Sequence, residues 1–333
     1  MSQRTSIALA PDVQAQLPSV AIALSRVGVR GVEKVIRIRH DGAEQLFSAQ
    51  IECFVDLGRD QKGAHMSRFE EVINDAIGEV ILGESGFRAE QLAQRVAELV
   101  RERQGALRAE VTIAARYPEH RPAPVSGINT QEIYTLFGIA VASERGTRRV
   151  VGVAAQGMTA CPCAQQLIAA QAREQLEEDG FSEAEIDRIL AAVPVATHNQ
   201  RGLGTLHVGV PEGEELAIEA KTLLAIVENA MSSEIYELMK RADEAAVVAR
   251  AHARPRFVED CVREMIAGVI AELPELGDGT FVSARQENLE TIHQHNVEAE
   301  RQGTLGELRR ELAGGERVAP APTTLRAWLD AAC

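Results

Sequence analysis

Phe47-Ser48-Ala49-Gln50-Ile51-Glu52-Cys53-Phe54-Val55 decides the fold class of this chain. Phe47, Ala49, Ile51, Cys53 and Val55 recur at every second position, so the run reads as a strand with one buried face. Upstream, Val35-Ile36-Arg37-Ile38-Arg39 is a second strand-like run, and Asp41-Gly42 between the two is a hairpin signal. Downstream, Ser67-Arg68-Phe69-Glu70 has the form of a capping box and opens a helix. Its Phe69, Val72, Ile73, Ile77, Val80 and Ile81 fall on one helical face. A second helix is predicted over 89–104, and alternation returns from Glu110 to Ala115. Pro118, Pro122 and Pro124 mark a loop; strands at 133–143 and 147–155 flank the turn Glu144-Arg145-Gly146. Strand, strand, helix, helix, strand, strand predicts an antiparallel α+β layer fold, not a doubly wound parallel one.

The second half opens at Cys161-Pro162-Cys163. Residues 164–179 read as a helix stopped at Gly180, and Ser182 to Glu185 forms another capping box. Thr205 to Val210 alternates like a strand, helices are predicted over 216–240 and 256–272, and Thr280 to Ala284 is strand-like. Polar, mostly helical sequence follows to 312, and the tail from Gly314, with Pro320, Pro322 and a late Trp328, reads as an appendage.

A chain of 333 residues gives two domains as the natural expectation. It has no apolar run long enough for a membrane helix and no secretory pattern at its start. Five cysteines, an odd and sparse count, suit a reducing cytoplasm with thiols free for chemistry. A net charge of -14 disfavours a broad nucleic-acid surface, while a local basic pocket for a small anion stays open.

Several constellations carry chemistry. Cys161 and Cys163 flank a proline suited to a first helical turn, where a thiolate is favoured. Two buried small hydrophobes at a turn explain the same spacing, and no second cysteine pair completes a structural zinc site. His198 is a possible ligand, though a lone histidine is more often structural. Glu244, in Lys240-Arg241-Ala242-Asp243-Glu244, and Glu259, in Phe257-Val258-Glu259-Asp260, equally suit solvated charged faces. Glu290 and His293 are three apart and would share a helix face, as a metal or proton-transfer pair or as plain polar surface. Lys62, His65 and Arg68 enter the first long helix, where they could hold phosphate or simply form a basic loop.

Together these segments, with Thr159-Ala160-Cys161-Pro162-Cys163 and His198-Asn199-Gln200-Arg201, resemble the prokaryotic type IB GTP cyclohydrolase I family over about residues 25 to 300. The resemblance implies a tunnelling fold: two tandem units of antiparallel sheet with helices on one face, assembling into a barrel-like homotetramer with interfacial active sites. The units would span 31–157 and 158–304, after a lead-in over 1–30 and before an appendage over 305–333. It implies opening of the guanine imidazole ring of GTP by metal-bound water, loss of formate, and closure to 7,8-dihydroneopterin triphosphate. That product feeds folate or deazaguanine synthesis. An archaeal-type relative giving a cyclic phosphate, a purine- or pterin-binding protein without turnover, and a redox-sensing thiol protein are the alternatives.

By motif, the resemblance makes Cys161, His198 and Glu244 the shell of one divalent metal, zinc, manganese or ferrous iron, with Glu259 a second carboxylate nearby. Cys163 would face the reacting purine carbon, Glu290 would accept hydrogen bonds from the guanine N–H edge, and His293 would shuttle protons. Lys62, His65, Arg68 and Arg201 are the phosphate candidates. Two departures stand out: a long stretch between Cys163 and His198, read as an inserted helical hairpin, and Ala242 where proline is expected.

Overall fold

Long alternating strands dominate the computed structural model, which describes residues 12–40, 43–80, 88–213, 218–314 and 322–331. β1 (Leu24–His40) and β2 (Ala43–Leu57) precede α1 (Met66–Val80) and α2 (Ala89–Gln104). β3 (Arg108–Pro122), β4 (Asn129–Ser143) and β5 (Gly146–Ala160) follow, then the helical pair α3 (Pro162–Glu178) and α4 (Glu183–Ala192). β6 (Asn199–Val210), α5 (Ala220–Ala230), β7 (Ser233–Glu234), α6 (Arg241–Ala253) and α7 (Val258–Glu272) lead to β8 (Phe281–Leu289) and β9 (Val297–Thr304). α8 (Leu305–Leu312) and α9 (Leu325–Asp330) finish the chain.

The expected α+β character holds, but the expected tunnelling fold of two tandem sheets is corrected. Among the described residues the strands form one nine-stranded sheet in the order β1-β2-β3-β4-β5-β6-β8-β9, with β7 added beside β5. Every pairing is antiparallel, and β5 bonds β4 along one edge and β6 along the other, so no break separates two sheets.

Strand alternation sends one set of side chains toward the helices. Phe47, Ile51, Phe69, Ile73, Leu92 and Val96 make one core beneath α1 and α2. Leu206, Val208, Leu223, Val227, Met265 and Val269 make a second beneath α5 and α7. Val141 and Val150 sit one position out of phase with those cores, so they face the opposite side, where Trp328 and Leu329 of α9 cover them. α9 is thus packed on the sheet.

The helical pair is as expected: Gly180 turns the chain at φ +86°, and Ser182 and Glu185 form the capping box. Four local expectations are corrected. Pro118 and Pro122 lie inside β3, in a stretch that pairs only with β4, so one side of the strand needs no donor. The helix expected over 216–240 stops at Ala230, because Met231 turns extended and the buried Ser232 Oγ accepts the Ala160 N–H at 3.1 Å. The helical reading toward 312 gives way at 297–304 to β9, paired to β8. β1 begins at Leu24, before the end of the expected lead-in. Asp41-Gly42 and Ile81 fall outside the described residues. Among the described residues no helix is long and apolar enough to cross a membrane.

Candidate functional site

β5, β6 and β8 end together, and the residues just past their ends meet. The Cys161 N–H donates to the His198 carbonyl at 3.1 Å, and the Thr197 hydroxyl donates to the Cys161 carbonyl at 2.7 Å. These two bonds continue the β5–β6 ladder past Ala160–Asn199 and hold Cys161 beside His198. Pro162 starts α3, so Cys161 caps the helix with extended backbone. The Arg256 N–H donates to the Ala160 carbonyl, and its guanidinium donates to the carbonyls of Asn229 and Ala230 at the end of α5. That fixes the start of α7, and with it Glu259, next to the same strand end.

Alternation does the rest. His198, just before β6, and Gln200 on it are two apart, as are Asn288 on β8 and Glu290 just past its end, so all four lie toward one face. The Thr291 hydroxyl donates to the Asn199 carbonyl at 3.1 Å and closes the loop after β8 onto β6. Gly202 is required beneath: a Cβ there would lie 2.4 Å from Nε2 of the buried Gln286, whose amide donates to Asn288. The result is a cavity of about 240 Å³ lined by Cys161, His198, Gln200, Glu259, Asn288, Glu290 and His293, among others.

Inside it, His198 Nδ1 is 3.1 Å from Gln200 Oε1 and 3.7 Å from Glu290 Oε2. Gln200 Nε2 donates to Glu290 Oε1 at 3.3 Å. Glu290 Oε2 is buried without a hydrogen-bond partner, a costly state that a bound donor would relieve. The rings of His198 and His293 lie edge to face at 6.4 Å, and His293 stacks on His295 at 5.2 Å. His293 stands in a loop, not on the expected helix with Glu290.

The structure thus brings together Cys161, His198, Glu259, Glu290 and His293. It does not bring Glu244, Cys163 or Arg201 into the cavity. Glu244 is exposed in the first turn of α6, Cys163 is exposed in the first turn of α3, and Arg201 alternates away from His198 on β6. Lys62, His65 and Arg68 lie at the entry to α1: His65 Nε2 is 3.0 Å from Asp12, the Lys62 N–H bonds the Gln14 carbonyl, and the Arg68 guanidinium donates to the Arg103 carbonyl. Gln200 and Asn288 are pocket residues that sequence reasoning passed over; their two-residue spacing from His198 and Glu290 was the available signal.

Thiol, imidazole and carboxylate donors suit a borderline divalent cation. Among the described residues, however, no three of His, Cys, Asp or Glu stand close enough to share one ion. The site fits a metal in donor type through Cys161 and His198, but no third donor of the cavity stands close enough to both to complete a shell. A larger cavity of about 410 Å³ between α7, β9 and α8 shares Glu259, but its walls hold neither thiol nor imidazole and its floor is Val262, Ile266 and Leu308. Chemistry therefore places the candidate site in the smaller one.

The sequence profile of the type I GTP cyclohydrolase folE2 family matches residues 10–299. GTP cyclohydrolase MptA of Methanococcus aeolicus is 42% identical over 307 residues, covering 90% of this chain and 99% of that protein. The MptA proteins of Methanocaldococcus jannaschii and Methanosarcina barkeri are 41% and 40% identical, over 92% and 91% of this chain and 98% and 97% of their own lengths. Among solved structures, uricase from Arthrobacter globiformis superposes with a TM-score of 0.50 at 9% identity, over 86% of this chain and 95% of that one. At that identity the likeness is one of fold alone, and the fold is described as uricase-like in place of the expected two-unit tunnelling fold.

Proposed function

Because this chain belongs to the type I GTP cyclohydrolase folE2 family, we propose that it opens the imidazole ring of GTP by hydrolysis, releases formate and recloses the product as a dihydropterin. The observation that carries this reading is the unpartnered, buried Glu290 Oε2 in a cavity that also holds Cys161, His198 and His293. The guanine edge with N1–H and the 2-amino group offers donors only, and a carboxylate oxygen with no protein donor is its complement.

In this reading Glu290 anchors the base and His293 carries protons at the opening ring nitrogen. Glu259 is a second carboxylate of the cavity, while Cys163, expected to face the reacting carbon, stands outside it in the first turn of α3. A divalent ion would supply a water of lowered pKa; of its expected ligands Cys161 and His198 line the cavity, whereas Glu244 stands outside it. Its identity, zinc, manganese or ferrous iron, is left to experiment.

The cavity is smaller than the roughly 300–1,000 Å³ usual for a whole ligand, so it suits the base and not the triphosphate. Lys62, His65, Arg68 and Arg201 would meet the phosphates only if a second copy presents them. A homo-oligomer with interfacial sites, a tetramer by resemblance, follows from that reading. Cytoplasmic location fits its sparse cysteines.

Two products fit this reading. 7,8-Dihydroneopterin triphosphate is the first; the naming of the methanogen relatives as MptA favours the second, a 7,8-dihydroneopterin cyclic phosphate. Anaerobic incubation with GTP and manganese, zinc or ferrous iron, followed by formate assay and chromatography of the oxidised pterin, separates them. Metal-dependent formate with either pterin supports the reading. GTP bound without formate by a folded, metal-loaded oligomer overturns it in favour of a binding protein.

A further inference from the structure

We propose that Gln200 is a positioning residue that holds His198 and Glu290 apart and keeps Nε2 of the one and Oε2 of the other out of their mutual contact; the substrate that Glu290 Oε2 would meet rests on the GTP reading above. Gln200 is 6% exposed, so its amide has little water to turn to and must be satisfied by its neighbours. Its two ends meet two different groups: Oε1 lies 3.1 Å from His198 Nδ1, and Nε2 lies 3.3 Å from Glu290 Oε1.

The chemistry of those contacts fixes the amide's orientation. Turned over, it would set its oxygen against the carboxylate's oxygen and its NH2 against the histidine, placing two acceptors face to face. With the oxygen on the histidine side, His198 Nδ1 is the donor, and in a neutral ring the lone pair then lies on Nε2. With the NH2 on the glutamate side, Oε1 is occupied and Oε2 is left over. That oxygen is the buried one with no hydrogen bond.

His198 Nδ1 and Glu290 Oε2 are 3.7 Å apart, just beyond hydrogen-bond reach. A small rotation would pair them directly and consume both the imidazole proton and the free carboxylate oxygen. Gln200 prevents this by giving each group a better-placed partner. One side chain without charge thereby sets the tautomer of one functional group and the open acceptor of another.

The test is a set of variants read by GTP binding and by nitrogen-15 NMR of histidine-labelled protein, with His198 assigned through a His198→Asn variant. Gln200→Leu removes both contacts; it is expected to weaken GTP binding at least tenfold and to change the Nδ1–H signature of His198. Gln200→Glu keeps an acceptor for His198 but opposes Glu290 with a like charge; it should preserve the tautomer while weakening binding as much or more. The swap Gln200→Glu with Glu290→Gln restores a donor–acceptor pair and leaves an amide oxygen as the open acceptor. It should bind GTP more tightly than Glu290→Gln alone, which no general loss of structure would produce. Additive losses in the swap, or an unchanged His198 signature in Gln200→Leu, overturn the proposal. If the native protein binds no GTP, the substrate reading fails, and the His198 signature still decides the positioning role.

Discussion

At the scale of single residues, Glu290 carries the sharpest expectation. Replacing it by Gln keeps its size and removes the charge that makes its open oxygen a strong acceptor. A hydrogen bond to a charged group is worth about 1.5–3 kcal/mol, so Glu290→Gln should weaken GTP binding roughly 10- to 150-fold in a calorimetric titration. Unchanged affinity would remove Glu290 from the anchor role. His207 offers a test apart from the site. It packs against the Phe137 ring at 5.2 Å and over Gly152, and burial pushes its pKa down to about 4. Below about pH 6.5 the unfolded chain takes up a proton that the folded one refuses, so stability falls as pH drops from about 6.5 to 4, by up to about 3 kcal/mol. Thermal midpoints across that range should slope less in His207→Gln; an identical slope would show that other groups set it. Cys161, His198 and Glu290 were legible because they stand in distinctive motifs with reactive side chains. Gln200 was not, since an amide announces no chemistry until its two partners are seen.

Among the elements, α6 shows how far a side chain can reach beyond its own helix. The carboxylate of the buried Asp243 accepts from the Lys240 N–H at its own helix start, and from the Val125 and Ser126 N–H groups and the Ser126 hydroxyl in the β3–β4 loop. Burial alone would raise its pKa, but these donors from Ser126, Lys240 and Val125 outweigh it and hold the carboxyl well below the usual range. The sign follows: the stabilisation is present above the ordinary carboxylate pKa and fades as pH falls through and below it. Asp243→Ala should lower the thermal midpoint at pH 7, with the gap to the native protein narrowing at strongly acid pH; a gap independent of pH would refute the ionic part of the account. In the sequence this residue looked like one more charge on a solvated helix face, because its partners Val125 and Ser126 lie over a hundred positions away. The same blindness explains β9. Val297 to Thr304 is rich in Glu, Arg and Gln and reads as helix, yet β8 offers an open ladder that Val297 and its neighbours complete. Pairing won over propensity there, whereas α2, with an amphipathic pattern and no competing strand, was legible to its ends.

For the whole molecule, the decisive contact is the one between the last helix and the bare side of the sheet. Trp328 is 4% exposed, lies on Phe281 and beneath the Arg148 guanidinium, and donates its indole N–H to the Gly279 carbonyl at 3.0 Å. Arg326 pairs with Glu110 and Asp330 with Arg108, so a helix of six residues ties β8 to β3 across the width of the sheet. Removing an aromatic side chain from such a seat costs about 3–5 kcal/mol, so Trp328→Ala should destabilise the entire sheet and not only the tail. The chain has one tryptophan, so its fluorescence reports this contact alone. If the tail is part of the cooperative unit, fluorescence and far-UV circular dichroism should change together in urea. Gly209→Ala should move both transitions to lower urea by the same amount, because the added Cβ would stand 2.9 Å from the indole ring. A fluorescence transition that moves alone would show instead that α9 undocks before the sheet unfolds, and that the strap is a separate, weaker layer.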